Sequence, residues 1–124
     1  MKSQTVNGAT FDTWTPQEVR TALDKNEIVL IDVRTPQEYM FEHIEGALLM
    51  PMAFFRPESL PGQREKPIVL HCGSGMRSEK VAQKVMAAGI DHIAHMEGGF
   101  GAWKKAELPY IGTDMGSGAP KKMG

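Results

Sequence analysis

Apolar positions along the chain fall into short runs separated by helix-spaced stretches. Ile28-Val29-Leu30-Ile31 and Ile68-Val69-Leu70 are unbroken apolar runs, the pattern of strands covered on both faces in a parallel sheet. Residues 11–14, Ala47-Leu48-Leu49-Met50 before Pro51, and Ile93-Ala94-His95-Met96 read as further short strands. Between these runs the period changes. Val19, Ala22 and Leu23 sit at i, i+3, i+4, and Val81, Ala82, Val85 and Met86 repeat that spacing, which marks one buried helical face. Two Thr-Pro-Gln-Glu tetrads, at 15–18 and 35–38, each combine a capping threonine, a proline for the first helical position and a glutamate that closes a capping box. They predict helices that stop near Lys25-Asn26 and Glu42. They reuse one local device and do not make an internal repeat. A third helix is predicted over 79–88 with Gly89 as its C′ residue. A short last helix starts at Ala102-Trp103 and ends before Pro109. Phe54-Phe55 are expected to add bulk to the core, and Pro57, Pro61-Gly62 and Arg64-Glu65-Lys66 mark a loop. Strands alternating with helices predict an α/β three-layer domain. It is placed at 11–110, with 1–10 expected to be a flexible N-terminus and 111–124, rich in Gly and Lys, a flexible C-terminal tail.

Bulk numbers narrow the classes. With 124 residues and 41% apolar composition the chain can bury a real core as one domain. A formal net charge of −1 argues against a large nucleic-acid or membrane surface. No run approaches the ~18 apolar residues of a spanning helix, and the start lacks the apolar segment of a signal peptide. The single cysteine excludes an intramolecular disulfide and a multi-cysteine metal cluster. It fits a reducing cytosol, so a cytoplasmic location is expected. His43, His71, His92 and His95 have no metal-ligand spacing, and neither metal nor cofactor is expected.

The candidate chemistry lies in His71-Cys72-Gly73-Ser74-Gly75-Met76-Arg77-Ser78, between a predicted strand and a predicted helix. A tight loop between such elements can turn backbone N–H groups inward, and a helix start adds positive partial charge. A thiol in that field loses its proton more easily, and the thiolate is the nucleophile. Cys72 is therefore the candidate nucleophile. Gly73, Ser74, Gly75 and Met76 are expected to contribute through their backbone, and Arg77 by attracting an anion. Ser78 is expected to be the N-cap of the following helix. Asp32 and Arg34, at the end of a predicted strand, read as a structural ion pair. Glu38 reads as a cap partner, Trp103 as core, and His43 and His71 as scaffold.

His-Cys-x-x-Gly-x-Arg-Ser resembles the active-site loop of single-domain rhodaneses, sulfurtransferases that carry sulfur on a cysteine. Two more segments resemble that family: Ile31-Asp32-Val33-Arg34-Thr35-Pro36-Gln37-Glu38-Tyr39 with His43-Ile44-Glu45-Gly46-Ala47, and Glu97-Gly98-Gly99-Phe100-Gly101-Ala102-Trp103. The resemblance runs over about 14–109. It implies a rhodanese-like domain, with a mostly parallel central sheet of about five strands and helices on both faces. It also implies double displacement. Cys72 would take a sulfane sulfur from thiosulfate or a small persulfide, with Gly73 to Ser78 binding the donor. A thiol such as glutathione or thioredoxin, or cyanide, would then remove it. Three readings compete with this one: a phosphatase or arsenate reductase of the same fold, a non-catalytic binding module, and a redox sensor using Cys72. Phosphatases of this kind resemble one another in a Cys-x5-Arg loop. Here four residues separate Cys72 from Arg77, so the ring is tighter than a tetrahedral oxyanion needs.

Overall fold

The computed structural model describes residues 1–124. The elements are β1 (Lys2–Val6), β2 (Ala9–Trp14), α1 (Pro16–Asp24), β3 (Val29–Asp32), α2 (Pro36–Phe41), β4 (Leu48–Leu49), β5 (Ile68–His71), α3 (Met76–Ala87), β6 (His92–Met96), α4 (Gly99–Lys105), β7 (Tyr110–Thr113) and β8 (Pro120–Met123). Two short 3-10 turns, Met52–Phe54 and Pro57–Ser59, lie between β4 and β5. The central sheet has the order β1-β2-β6-β5-β3-β4. Its pairs are parallel except the one between β1 and β2.

The side-chain period of two along each strand divides the core in two. Phe11, Ile31, Ile68, Leu70 and Ile93 pack with Val81, Ala82 and Val85 of α3 on one face. Leu30, Val69, Ala94 and Met96 pack with Val19 and Ala22 of α1 and Phe100 and Trp103 of α4 on the other. Layers are thus helix, sheet, helix, as the alternation of patterns requires. Trp103 is fully buried, and its indole N–H donates to the carbonyl of Pro109 at 2.9 Å. Both Thr-Pro-Gln-Glu tetrads form complete capping boxes at the starts of α1 and α2.

The two ends of the chain differ from expectation. Residues 2–6 form β1, paired antiparallel with β2 from Lys2↔Thr13 to Val6↔Ala9. Lys2 to Thr5 are exposed and only Val6 packs against the core, so burial leaves no periodic trace in the sequence. Residues 111–124 are likewise no loose tail. Tyr110–Thr113 and Pro120–Met123 form an antiparallel hairpin. Its turn is set by Asp114, whose carboxylate accepts from the Gly116 N–H at 3.0 Å and the Ser117 hydroxyl at 3.1 Å, an aspartate turn that needs no apolar run. A bridge between His43 and Ile111 ties the hairpin to the end of α2. Of the two phenylalanines expected in the core, Phe55 is buried and Phe54 is 78% exposed. The 3-10 turn ending at Phe54 turns consecutive side chains to different sides.

Candidate active site

β5 delivers Cys72 to the carboxyl end of the sheet, and α3 begins four residues later at Met76. Its N-cap is Gly75 at φ +103°, with no capping side chain. Ser78, expected as the N-cap, is instead the third residue of the helix. The acceptor a cap would supply is the sulfur of Cys72, which receives the Ser78 N–H at 3.3 Å and the Gly75 N–H at 3.1 Å. The candidate nucleophile therefore occupies the position of a helix-capping group. Its sulfur is fully buried. Burial raises the thiol pKa, but the N–H and hydroxyl of Ser78 and the N–H groups of Gly75 and Ser74 outweigh it, and the pKa falls below the ordinary value. The loop stabilises the anion relative to the thiol because its N–H groups donate to the sulfur.

The start of α4 holds this loop from behind. Phe100 N–H donates to the Cys72 carbonyl at 2.7 Å and Gly101 N–H to the Gly73 carbonyl at 3.0 Å. Gly98 and Gly99 both have positive φ. A Cβ on Gly99 would lie 2.5 Å from the Cys72 carbonyl oxygen and 2.7 Å from the Ser74 nitrogen. Gly99 is there because two backbones touch. Gly99→Ala is expected to cost more than the ~1–3 kcal/mol of left-handed strain alone, since neither backbone can yield. Chemical denaturation checks the loss, and a change below about 1 kcal/mol would contradict this contact.

Arg77 lies over the loop, with its Nη2 3.1 Å from where a Gly73 Cβ would be. Its guanidinium is not free. Nη1 and Nη2 donate to the two carboxylate oxygens of Glu38 at 2.7 and 2.9 Å. Glu38 therefore does two things: it closes the α2 capping box and it orients Arg77. The Arg77 hydrogen bonds hold its pKa at about 2, down from the usual 4.5, against a smaller opposing effect of burial. A depressed carboxyl stabilises the fold above its unfolded pKa and loses that contribution as pH falls through its folded value. The stability difference between the parent and Glu38→Gln should thus be constant above pH 4.5 and shrink toward pH 2. Urea unfolding at several pH values measures it, and a difference independent of pH would refute the pairing. The other side of Arg77 borders a cavity of about 460 Å³, walled by Val33, Pro36, Pro51, Met52 and Phe54.

Beneath the loop lies a buried ionic cluster. Arg34 Nε is 3.1 Å from both Asp32 oxygens and its Nη2 is 2.9 Å from Oδ2. Nη2 also donates to the Glu42 carbonyl at 2.6 Å, and the guanidinium stacks 4.7 Å from the Phe100 ring centroid. His71 Nε2 sits 3.5 Å from Asp32 Oδ2 and has no hydrogen-bond partner. Burial lowers the His71 pKa, outweighing the opposing pull of Asp32, so its ring is neutral at neutral pH. These groups brace the ends of β3 and β5 and do not reach the sulfur.

The structure brings Cys72, Gly75 and Ser78 together around the sulfur and sets Arg77 at its rim. Gly73 and Ser74 form the loop backbone, and Met76 is 68% exposed beside it. His95 was not legible as part of the site. Its Nδ1 lies 2.9 Å from the Ser78 hydroxyl. The available signal was its parity with Ile93 on β6, which faces α3. No cluster of three or more His, Cys, Asp or Glu side chains could hold a metal ion.

The chain is thus a three-layer α/β domain in which a cysteine caps the helix that follows a central strand. The chain belongs to the rhodanese-like domain family, whose family model matches residues 15–106. It is 38% identical over 113 residues to an uncharacterised protein of Synechocystis, covering 91% of this chain and 62% of that protein. It thus spans somewhat less than two thirds of that relative. It is also 38% identical over 80 residues to thiosulfate sulfurtransferase GlpE of Coxiella burnetii, covering 64% of this chain and 75% of GlpE. The thiosulfate sulfurtransferase structure from Pseudomonas aeruginosa superposes with a TM-score of 0.72 at 25% identity, over 82% of this chain and 20% of that one. No helix is long and apolar enough to cross a membrane.

Proposed function

We propose that this protein is a sulfurtransferase that moves a sulfane sulfur from thiosulfate or a small persulfide to a thiol or cyanide through a Cys72 persulfide. The observation that carries the reading is the buried sulfur of Cys72 with two N–H donors aimed at it and a lowered pKa. The thiolate attacks the outer sulfur of the donor. With thiosulfate, the new S–S bond forms as the old one breaks, and sulfite leaves with the electron pair of the broken bond. The same loop then faces a persulfide anion, whose charge sits one atom further out. An acceptor thiolate attacks that outer sulfur and returns Cys72 to the thiolate. The similarity to GlpE supports thiosulfate as donor.

Arg77 supplies positive charge at the rim, partly neutralised by Glu38. The apolar walls of the neighbouring cavity suit the body of a thiol acceptor. With one cysteine in the chain, the persulfide cannot be resolved internally to a disulfide. Incubation with thiosulfate alone should add one sulfur atom per chain and stop, and glutathione or cyanide should then remove it. Intact-mass spectrometry reads both steps. No sulfur gained, or hydrolysis of aryl phosphates by the same preparation, would overturn the reading.

A further inference from the structure

The Ser78 hydroxyl has one proton and three acceptors within reach. These are the Gly75 carbonyl at 3.2 Å, the His95 Nδ1 at 2.9 Å and the Cys72 sulfur at 3.7 Å. It can satisfy only one at a time. His95 is 8% exposed and its ring packs on Phe11, with centroids 4.9 Å apart, so it cannot swing away. Its Nε2 makes no hydrogen bond within the protein yet is not among the buried unpaired atoms. That nitrogen therefore meets solvent. A chain of atoms leads from the buried sulfur through Ser78 and His95 to water.

The direction of the middle hydroxyl depends on whether Nδ1 carries a proton. A neutral ring with its proton on Nε2 accepts the Ser78 O–H at Nδ1, and the hydroxyl oxygen is then left to accept from the Cys72 S–H. A protonated ring donates from Nδ1 to the Ser78 oxygen, which frees the O–H to donate to sulfur. The first arrangement suits the thiol and the second suits an anionic sulfur. We propose that His95 is a positioning residue whose protonation turns the Ser78 hydroxyl toward Cys72, coupling a solvent-facing imidazole to the charge on the buried sulfur. In the full transfer, the S–H bond breaks as an O–H bond forms at Ser78. The original O–H bond then breaks as an N–H bond forms at His95. No oxidant or co-reactant is needed.

The groups around His95 are consistent with this. From α3 it meets Ser78, with Glu79 close enough to favour the charged ring, and Glu97 after β6 acts in the same direction. Its neighbours on β2 and β5 are uncharged: Phe11, the register partner Thr13, and Leu70. Burial opposes the charged ring and lowers its pKa overall, so the switch operates below neutral pH.

The inference deepens the sulfurtransferase reading but is testable without sulfur chemistry. Iodoacetamide alkylates only the thiolate, so its rate follows the ionised fraction of Cys72. In the parent protein, the logarithm of the rate against pH should show a shallow segment where His95 titrates. Below that segment the rate should exceed the line extrapolated from higher pH by about tenfold, the size of a typical coupling between sites. Ser78→Ala keeps the imidazole charge but removes the hydroxyl, and should remove the shallow segment. Ser78→Thr restores the hydroxyl and should restore the segment. His95→Asn should give a single straight limb. A shallow segment that persists in Ser78→Ala would mean the coupling acts through space, and a straight limb in the parent would mean there is none. Either result overturns the proposal. If the segment is present but thiosulfate leaves the mass of the protein unchanged, the sulfurtransferase reading fails while this one stands.

Discussion

Cys72→Ser should lose sulfur transfer by at least about a thousandfold, a typical consequence of removing a nucleophile, while the fold survives. The loss follows from the atom itself. A serine hydroxyl in this loop is not ionised at neutral pH, whereas the thiol is pulled toward its anion by the Ser78 and Gly75 donors. Survival follows from the second role of the position. The sulfur caps α3, and a serine oxygen is a good capping acceptor, so the stability change should stay within about 1 kcal/mol. Cys72→Ala removes the cap as well and should cost about 1 kcal/mol more. The two variants should be equally inactive and unequally stable. Coupled measurements of thiosulfate-to-cyanide transfer and urea unfolding test both. Transfer that persists in purified Cys72→Ser would remove Cys72 as the sulfur carrier.

Asp32→Ala should be strongly destabilising. Asp32 is fully buried and Arg34 is 4% exposed. Removing the carboxylate leaves a guanidinium with the Glu42 carbonyl and the face of Phe100 as its remaining partners. Breaking one partner of such a pair costs about 3–5 kcal/mol, out of the ~5–15 kcal/mol that typically holds a domain. The melting temperature should fall by more than about 10 °C. Replacing both partners with apolar side chains, as in Asp32→Leu with Arg34→Met, should recover much of the loss, because the penalty comes from the stranded charge. A single Asp32→Ala within about 1 kcal/mol of the parent would mean that the charge finds water.

The parts of the fold legible in the sequence are those where local chemistry and burial agree. Both capping boxes give their helix starts to the residue, because proline, threonine and glutamate act within one turn. The unbroken apolar runs at 28–31 and 68–70 become β3 and β5, buried on both faces. Cys72 was legible as the head of the loop that follows β5. The start of α3 was not, because its capping acceptor is a sulfur four residues earlier than Met76 and no propensity encodes that. The Arg77–Glu38 pair joins residues 39 apart in sequence, and His95 reaches Ser78 across the gap between β6 and α3. Such contacts depend on the packed sheet. The two terminal hairpins were missed for another reason. β1 and β8 are exposed along most of their length, so backbone pairing holds them with little help from apolar side chains.

That polar first strand has a consequence for how molecules of this protein meet one another. A sheet can grow by accepting a strand from a neighbour wherever an edge is long, flat and apolar. At one end Lys2, Ser3, Gln4 and Thr5 present solvated side chains. At the other, β4 has two residues and Pro51 follows soon after, with no N–H to offer. Neither end is a template for intermolecular β-pairing. Trimming the first eight residues would uncover the six-residue edge of β2, where Phe11 packs into the core. The shortened protein should self-associate into sheet-rich aggregates more readily than the chain that keeps β1, a difference that light scattering of the two would read.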